Sequence, residues 1–191
     1  MVWARSVVGA GAALLMLLAG CGGDEPPPNG SGYAAPADDF CGDLIDSAIP
    51  RSERGIMDPW IAGGDVGGDD SATTATCTFT GGDHQIDVVV LVGHGADARY
   101  DESVDELESG AVGFENAEAS SLEGWWSDGR RFEPTRTPVR VADAVSGDGV
   151  FARVDVVEYG GRRGDVPPRR AEAVDLAEAV TAAVPEVLGR G

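Results

Sequence analysis

Val150-Phe151-Ala152-Arg153-Val154-Asp155-Val156-Val157-Glu158-Tyr159 is the stretch that decides the fold class. Successive side chains of an extended segment point to opposite faces. Val150, Ala152, Val154 and Val156 therefore share one face, and Phe151, Arg153, Asp155 and Val157 share the other. A wholly apolar face backed by a mixed one is the pattern of a strand laid on a core. Gly160-Gly161 then turns the chain.

Upstream, residues 139–145 read as another strand. Residues 85–92 read as a third, and their unbroken apolar run 88–92 calls for burial on both faces or a place in the middle of a sheet. Cys77-Thr78-Phe79 lies on the far side of Gly81-Gly82 from that run, so the two form a predicted hairpin. Asp128-Gly129 sits between Trp125-Trp126 and Phe132 and signals a second hairpin. Placed on a strand, the adjacent tryptophans would face opposite ways, one into the core and one outward, where it would join Arg130 or Arg131 in a recognition surface. Residues 51–76 are rich in Gly and Asp, with Met57, Trp60 and Ile61 as their strong apolar anchors.

Helical spacing appears three times. Asp38 and Asp39 are good N-caps for a short helix bearing Phe40, Leu44 and Ala48, stopped by Pro50. Tyr100, Val104 and Leu107 make the stripe of a second. Pro167-Pro168 opens a third, with Ala173, Val174, Ala177, Val180, Val184, Val187 and Leu188 on one side and a kink or end expected at Pro185. Strands in the middle and helices towards both ends predict an α+β fold, an antiparallel sheet with helices packed on one face.

The first twenty residues belong to none of this. Arg5 precedes an apolar run from Val7 to Leu18, shorter than the roughly 20 apolar residues of a membrane-spanning helix. The run ends in Leu18-Ala19-Gly20-Cys21, which resembles the lipobox of bacterial lipoproteins, where the cysteine receives a diacylglycerol and becomes the new N-terminus. An ordinary secretory signal whose cleavage site happens to precede a Cys is the plainer alternative. Gly22 to Ala37, with Pro26-Pro27-Pro28, has linker composition. The expected organisation is a lipoprotein signal peptide at 1–20, a disordered linker at 21–37 and one domain at 38–191.

With lipid on Cys21, Cys41 and Cys77 are left to pair in an oxidising compartment, giving one disulfide. Two free buried thiols are the alternative. The formal charge is −19, from 33 acids against 14 bases, all of them Arg. Such a surface repels phosphate backbones, so nucleic acid is excluded as a partner, and anionic headgroups repel it too, so membrane residence needs a covalent anchor.

The order of motifs resembles a family of actinobacterial surface lipoproteins that is a domain of unknown function. The resemblance rests on the lipobox, on Asp39-Phe40-Cys41-Gly42-Asp43-Leu44 at the first helix, on a Gly-rich stretch, on Cys77-Thr78-Phe79 opening a strand, and on an Ala-rich helix after a Val-rich strand. That family is similar in turn to the extracellular sensor domain of mycobacterial receptor Ser/Thr kinases, which implies an α+β sandwich. The resemblance implies no catalytic residue.

The residues themselves carry little chemistry. His84 follows a turn and His94 stands between Gly93 and Gly95 at a strand end; neither belongs to a metal-binding or nucleophile motif. Asp65, Asp69 and Asp70 sit among glycines without EF-hand spacing. Arg130-Arg131, Arg162-Arg163 and Arg169-Arg170 border turns or a helix start, where solvated or internally paired arginines are the plainer reading. The expected function is a lipid-anchored, non-catalytic binding or sensing module on the outer face of the bacterial cell membrane. It needs no cofactor and no metal, and its partner is an envelope protein or a small ligand. A small hydrolase and a small-ligand carrier with a pocket between sheet and helices are the readings from other classes.

Overall fold

The Val-rich segments pair edge to edge, as their alternation requires. A computed structural model of the chain describes residues 31–49, 60–135, 138–159 and 166–189. Its elements run α1 (Phe40–Ala48), β1 (Ile61–Gly68), β2 (Ala72–Gly81), β3 (His84–Gly93), α2 (Ala96–Glu108), β4 (Ala117–Ser121), β5 (Asp128–Pro134), β6 (Arg140–Gly147), β7 (Val150–Glu158) and α3 (Val166–Leu188). The strands form one antiparallel sheet in the order β1-β2-β3-β7-β6-β5-β4. The expected α+β class, antiparallel sheet and disulfide are all present. Among the described residues no helix is long and apolar enough to cross a membrane.

The apolar run 88–92 lies in β3, near the centre of the sheet. Ile86, Val88, Val90 and Val92 are fully buried against α1 and α3. Each such side chain contributes about 1.5–3 kcal/mol relative to exposure. Alternate residues of β2, β7 and β6 complete that face, and α3 closes it with Ala173, Ala177, Val180, Val184 and Leu188. The helices do not all share a face, however. Helix α2 packs its Val104 and Leu107 on the reverse side, against Phe132, Ala142 and Ala144. Strand β6 is buried on both faces, so it must be covered twice.

Three local expectations are corrected. The Gly- and Asp-rich stretch holds a strand, β1, paired along all of its length with β2. It escapes a periodicity reading because backbone hydrogen bonds, not side chains, hold it; seven of its eight residues are exposed. Asp128-Gly129 is not a turn but the first pair of β5, in register with Ser146 and Val145. The linker ends sooner than expected: Tyr33 is 4% exposed, and the Gly32 amide donates to the Asp148 carbonyl in the β6–β7 turn at 3.0 Å. Cys21, the leader before it, Pro50, Met57 and Arg162-Arg163 lie outside the described residues.

Cys41 and Cys77 are bonded, with their Cα atoms 5.5 Å apart. The bond ties the first turn of α1 to the middle of β2, and Gly64 of β1 makes it possible. A side-chain carbon at position 64 would stand 2.6 Å from Cys41 Sγ and would also meet the Thr76 carbonyl. In the chain-entropy model, closing a loop with a sequence separation of 36 stabilises by roughly 3.5–4 kcal/mol. The Cys41→Ala/Cys77→Ala double variant is expected to lose about that much in urea-monitored unfolding under oxidising conditions. A loss below about 1 kcal/mol would show that the bond does little to the unfolded chain.

Candidate functional site

An acid interrupts the apolar pattern of β6. Asp143 faces α3 between Val141 and Val145 and is 1% exposed. A buried carboxylate needs a partner, and register supplies it: Arg131 of β5 stands directly opposite. Arg131 Nε donates to Asp143 Oδ1 at 2.7 Å and Nη2 to Oδ2 at 2.8 Å, a two-toothed clamp. Its Nη1 donates to Glu178 Oε1 of α3 at 2.7 Å, and the Thr181 hydroxyl donates to Asp143 Oδ2 at 3.3 Å. Burial raises the pKa of the Asp143 carboxyl, while the bonds and charge of Arg131 pull it down. Burial also opposes the charge on Arg131, but Asp143 and then Glu178 outweigh it and hold the guanidinium protonated.

This cluster forms the base of a groove of about 500 Å³ between the β4–β5 end of the sheet and α3. Ser120, the cross-strand neighbour of Arg131 on β4, and Ser121 line one side. Leu122, Trp126 and Ala182 supply its apolar wall, and Glu123 and Glu133 add carboxylates to those of Asp143 and Glu178. Glu178 keeps a side chain 59% exposed. The groove therefore carries four carboxylates against one guanidinium that is already held.

The four candidate recognition residues separate. Trp126 and Arg131 line the groove, while Trp125 and Arg130 do not. The tryptophans are not on a strand but in the β4–β5 connection, half-buried and stacked edge to face at 5.6 Å rather than pointing apart. Trp126 lies against Gly124 and Gly129, where any side-chain carbon would collide with its ring. Its Nε1 donates to the Leu122 carbonyl at 3.0 Å. Arg130 points to the reverse face of the sheet and pairs with Glu108 of α2. Arg131 is internally paired and buried, so it offers no outward grip.

Trp125 has a structural task. Helix α3 continues through Pro185, where a kink or an end is expected from the sequence. Proline has no N–H, so the carbonyl four residues earlier, that of Thr181, loses its helical donor. Trp125 Nε1 takes that place, donating to the Thr181 carbonyl at 3.1 Å. Tyr33 packs edge to face on Trp125 at 6.0 Å, so the N-terminal segment, Trp125 and Trp126 form a continuous aromatic stack leading to the groove.

The remaining candidates are elsewhere. His84 begins β3 opposite Glu158, and His94 is exposed in the turn before α2. Asp65 is exposed on β1; Asp69 folds the β1–β2 turn, its Oδ1 accepting from the Ser71 amide, the Ser71 hydroxyl and the Ala72 amide. Those bonds, the Ser71 hydroxyl foremost, hold the Asp69 carboxyl below its ordinary pKa. Among the described residues no group of three His, Cys, Asp or Glu is placed to hold a metal ion. Arg170 donates to the Pro134 carbonyl at 2.6 Å. Asp143 and Glu178 were the residues missed, although an acid inside an otherwise apolar strand is a visible sign of a buried partner.

Two outcomes follow from this geometry. Arg131→Met strands Asp143 and is expected to cost about 3–5 kcal/mol in denaturant unfolding, whereas Arg130→Met, at an exposed pair, is expected to cost about 0–1 kcal/mol; equal losses would show that the buried clamp carries no special weight. Trp125→Phe leaves the Thr181 carbonyl without a donor and is expected to cost about 1–3 kcal/mol. Restoring the helical N–H with Pro185→Ala is expected to shrink that loss in a double-mutant cycle, and additive effects would refute the substitution of one donor for the other.

No family model and no curated protein matches the chain. Solved structures that align with it include an uncharacterized protein from Mycobacterium smegmatis, at 13% identity over 75% of this chain and 97% of that one, with a TM-score of 0.32. The extracellular domain of PknH from Mycobacterium tuberculosis aligns at 11% identity over 78% of this chain and 99% of that domain, also with a TM-score of 0.32. A second Mycobacterium smegmatis protein, Ms6760, aligns at 14% identity over 82% of this chain and 86% of that one, with a TM-score of 0.21.

Proposed function

We propose that the protein is a non-catalytic binding or sensing module of the bacterial cell envelope, anchored to the outer face of the membrane by lipid on Cys21. The observation that carries the reading is the lipobox-like Leu18-Ala19-Gly20-Cys21 at the end of an apolar leader. The Cys41–Cys77 bond supports it, because such bonds persist in oxidising, extracytoplasmic compartments. Since Tyr33 is already packed into the domain, about ten residues separate the anchor from the fold, and they reach at most ~35 Å. The domain then works against the membrane surface, where a tether raises its effective concentration towards membrane-bound partners.

The binding part of the proposal rests on the groove. Its charged groups at the base are engaged with one another, an arrangement suited to presenting a fixed surface and not to passing a proton to a reacting atom. The envelope partner is taken up there.

Intact mass of the chain purified from its native membrane tests the anchor. The expected result is a processed N-terminus at Cys21 with added acyl mass, partition into the detergent phase, and loss of that partition in Cys21→Ala. A mature chain without acyl mass, or partition unchanged by the substitution, would overturn it. Loss of a measured hydrolytic turnover in His94→Ala would transfer the reading to an enzyme.

A further inference from the structure

We infer that the segment Ser31–Ala34 is a strap that fixes the wall of the groove. Docked, it holds the connection between β4 and β5 in place; released, it lets that connection loosen as one piece. This rests on the reading of the groove as the module's binding site and adds a conformational control to it.

The wall belongs to a stretch with no strand or helix of its own. Leu122, Glu123 and Trp126 line the groove, and all three lie between β4 and β5. Main-chain bonds fasten the two ends of this connection: the Leu122 amide donates to the Gly129 carbonyl at 3.0 Å and the Ser127 amide to the Ser146 carbonyl at 2.9 Å. Between them, Trp126 Nε1 closes on Leu122 within the connection itself. Trp125 Nε1 reaches out instead, to the Thr181 carbonyl of α3. The position of the Trp125 ring therefore decides whether the middle of the wall is tied to the helix.

Tyr33 packs edge to face on that ring, and its neighbours bond to the two parts that the connection already touches. The Gly32 amide donates to Asp148 in the β6–β7 turn at 3.0 Å. One residue earlier, a side-chain carbon on Gly147 would stand 2.9 Å from Ser127 N and Trp126 Cα, so the connection lies directly on this turn. The Ala34 amide donates to the Gly189 carbonyl at the end of α3, at 3.3 Å. Strap, connection, turn and helix end thus close a ring of contacts. The main-chain bonds of the strap go to a turn and to a helix end, so it can leave without opening the seven-stranded sheet or a helical turn. Its shape is local: the Ser31 hydroxyl donates to the Tyr33 carbonyl at 2.7 Å and accepts from the Tyr33 amide at 3.0 Å. By linkage the effect runs both ways: a partner that orders the wall tightens the strap, and a pull ahead of Ser31 loosens the wall.

Nitrogen-15 relaxation of the full chain in neutral detergent tests this, read at the indole N–H groups. The indole of Trp60, which packs on Gly81 at the other edge of the sheet, is the internal reference. Order parameters of Trp125 and Trp126 are expected near about 0.85 in the unmodified chain and below about 0.6 in Tyr33→Ala, with Trp60 unchanged. Tyr33→Phe keeps the ring and is expected to restore the order. Trp125→Leu is expected to lower the order of the Gly32 and Ala34 amides in turn. Hydrogen exchange of the unmodified chain needs no variant: the Ala34 amide, the Ser127 amide and the Trp125 indole are expected to share one opening, with protection factors equal within about threefold and below those of the β3 amides.

Indoles that stay ordered in Tyr33→Ala would reduce Tyr33 to one more core residue and overturn the inference. Equal loss of order at Trp60 would do the same, by making the effect global, as would separate openings of the strap and the connection in exchange. The acyl mass on Cys21 decides the anchored-module reading separately. A rigid wall in Tyr33→Ala leaves that reading standing, and an unlipidated chain still reports whether the strap holds the wall.

Discussion

One line of residues across the sheet governs the face on which α1 and α3 lie. From the β1 edge to the β4 edge it reads Gly64, Cys77, Val88, Val154, Asp143, Arg131 and Ser120, each in register with the next. At one end a glycine admits the sulfur of Cys41, and a covalent bond holds α1 down. The centre is apolar, and burial alone holds it. At the other end Asp143 and Arg131 neutralise each other, and Glu178 and Thr181 fasten α3 above them. The same helical layer is thus secured in three chemically different ways along one line, and the groove opens where the line passes from apolar to polar.

The buried clamp changes how α3 is held at this end of the sheet. A helix resting on valines packs at van der Waals distance along its length. Where it meets Asp143 and Arg131, hydrogen bonds from Thr181 and to Glu178 hold it instead. Beyond them β4 is short, with four of its five residues exposed, and the β4–β5 connection folds its tryptophans back towards α3. Trp125 repairs the hydrogen bond that Pro185 removes from α3, and Trp126 forms the wall. A proline within the helix and two neighbouring indoles are therefore parts of one arrangement. Sensitivity of the groove to changes in α3 is a direct consequence.

The segment around Tyr33 packs at the same end. Tyr33 stacks on Trp125, which stacks on Trp126, and the preceding amide is bonded to the β6–β7 turn. Tyr33 and the groove therefore lie at the same end of the sheet, joined through the two indoles. The rest of the molecule is strongly acidic, so the groove is set apart less by its sign than by its preformed aromatic wall.

By itself the sequence determined the α+β class, the buried place of 88–92, the faces of 150–159, the apolar stripe of the last helix and, given lipid on Cys21, the pairing of Cys41 with Cys77. These follow from periodicity and from the chemistry of sulfur, both of which act between near neighbours or by elimination. It did not show β1, because a glycine-rich strand is held by its backbone and has no side-chain pattern to read. It placed Trp125-Trp126 on a strand with opposed faces, since adjacency in sequence carries no record of a loop folded back on a helix. The separation of Arg130 from Arg131, one to each side of the sheet, was implicit in their adjacency on a strand. Which acids receive them was decided by tertiary register alone, for Glu108, Asp143 and Glu178 come from three different elements. The groove exists only in that convergence.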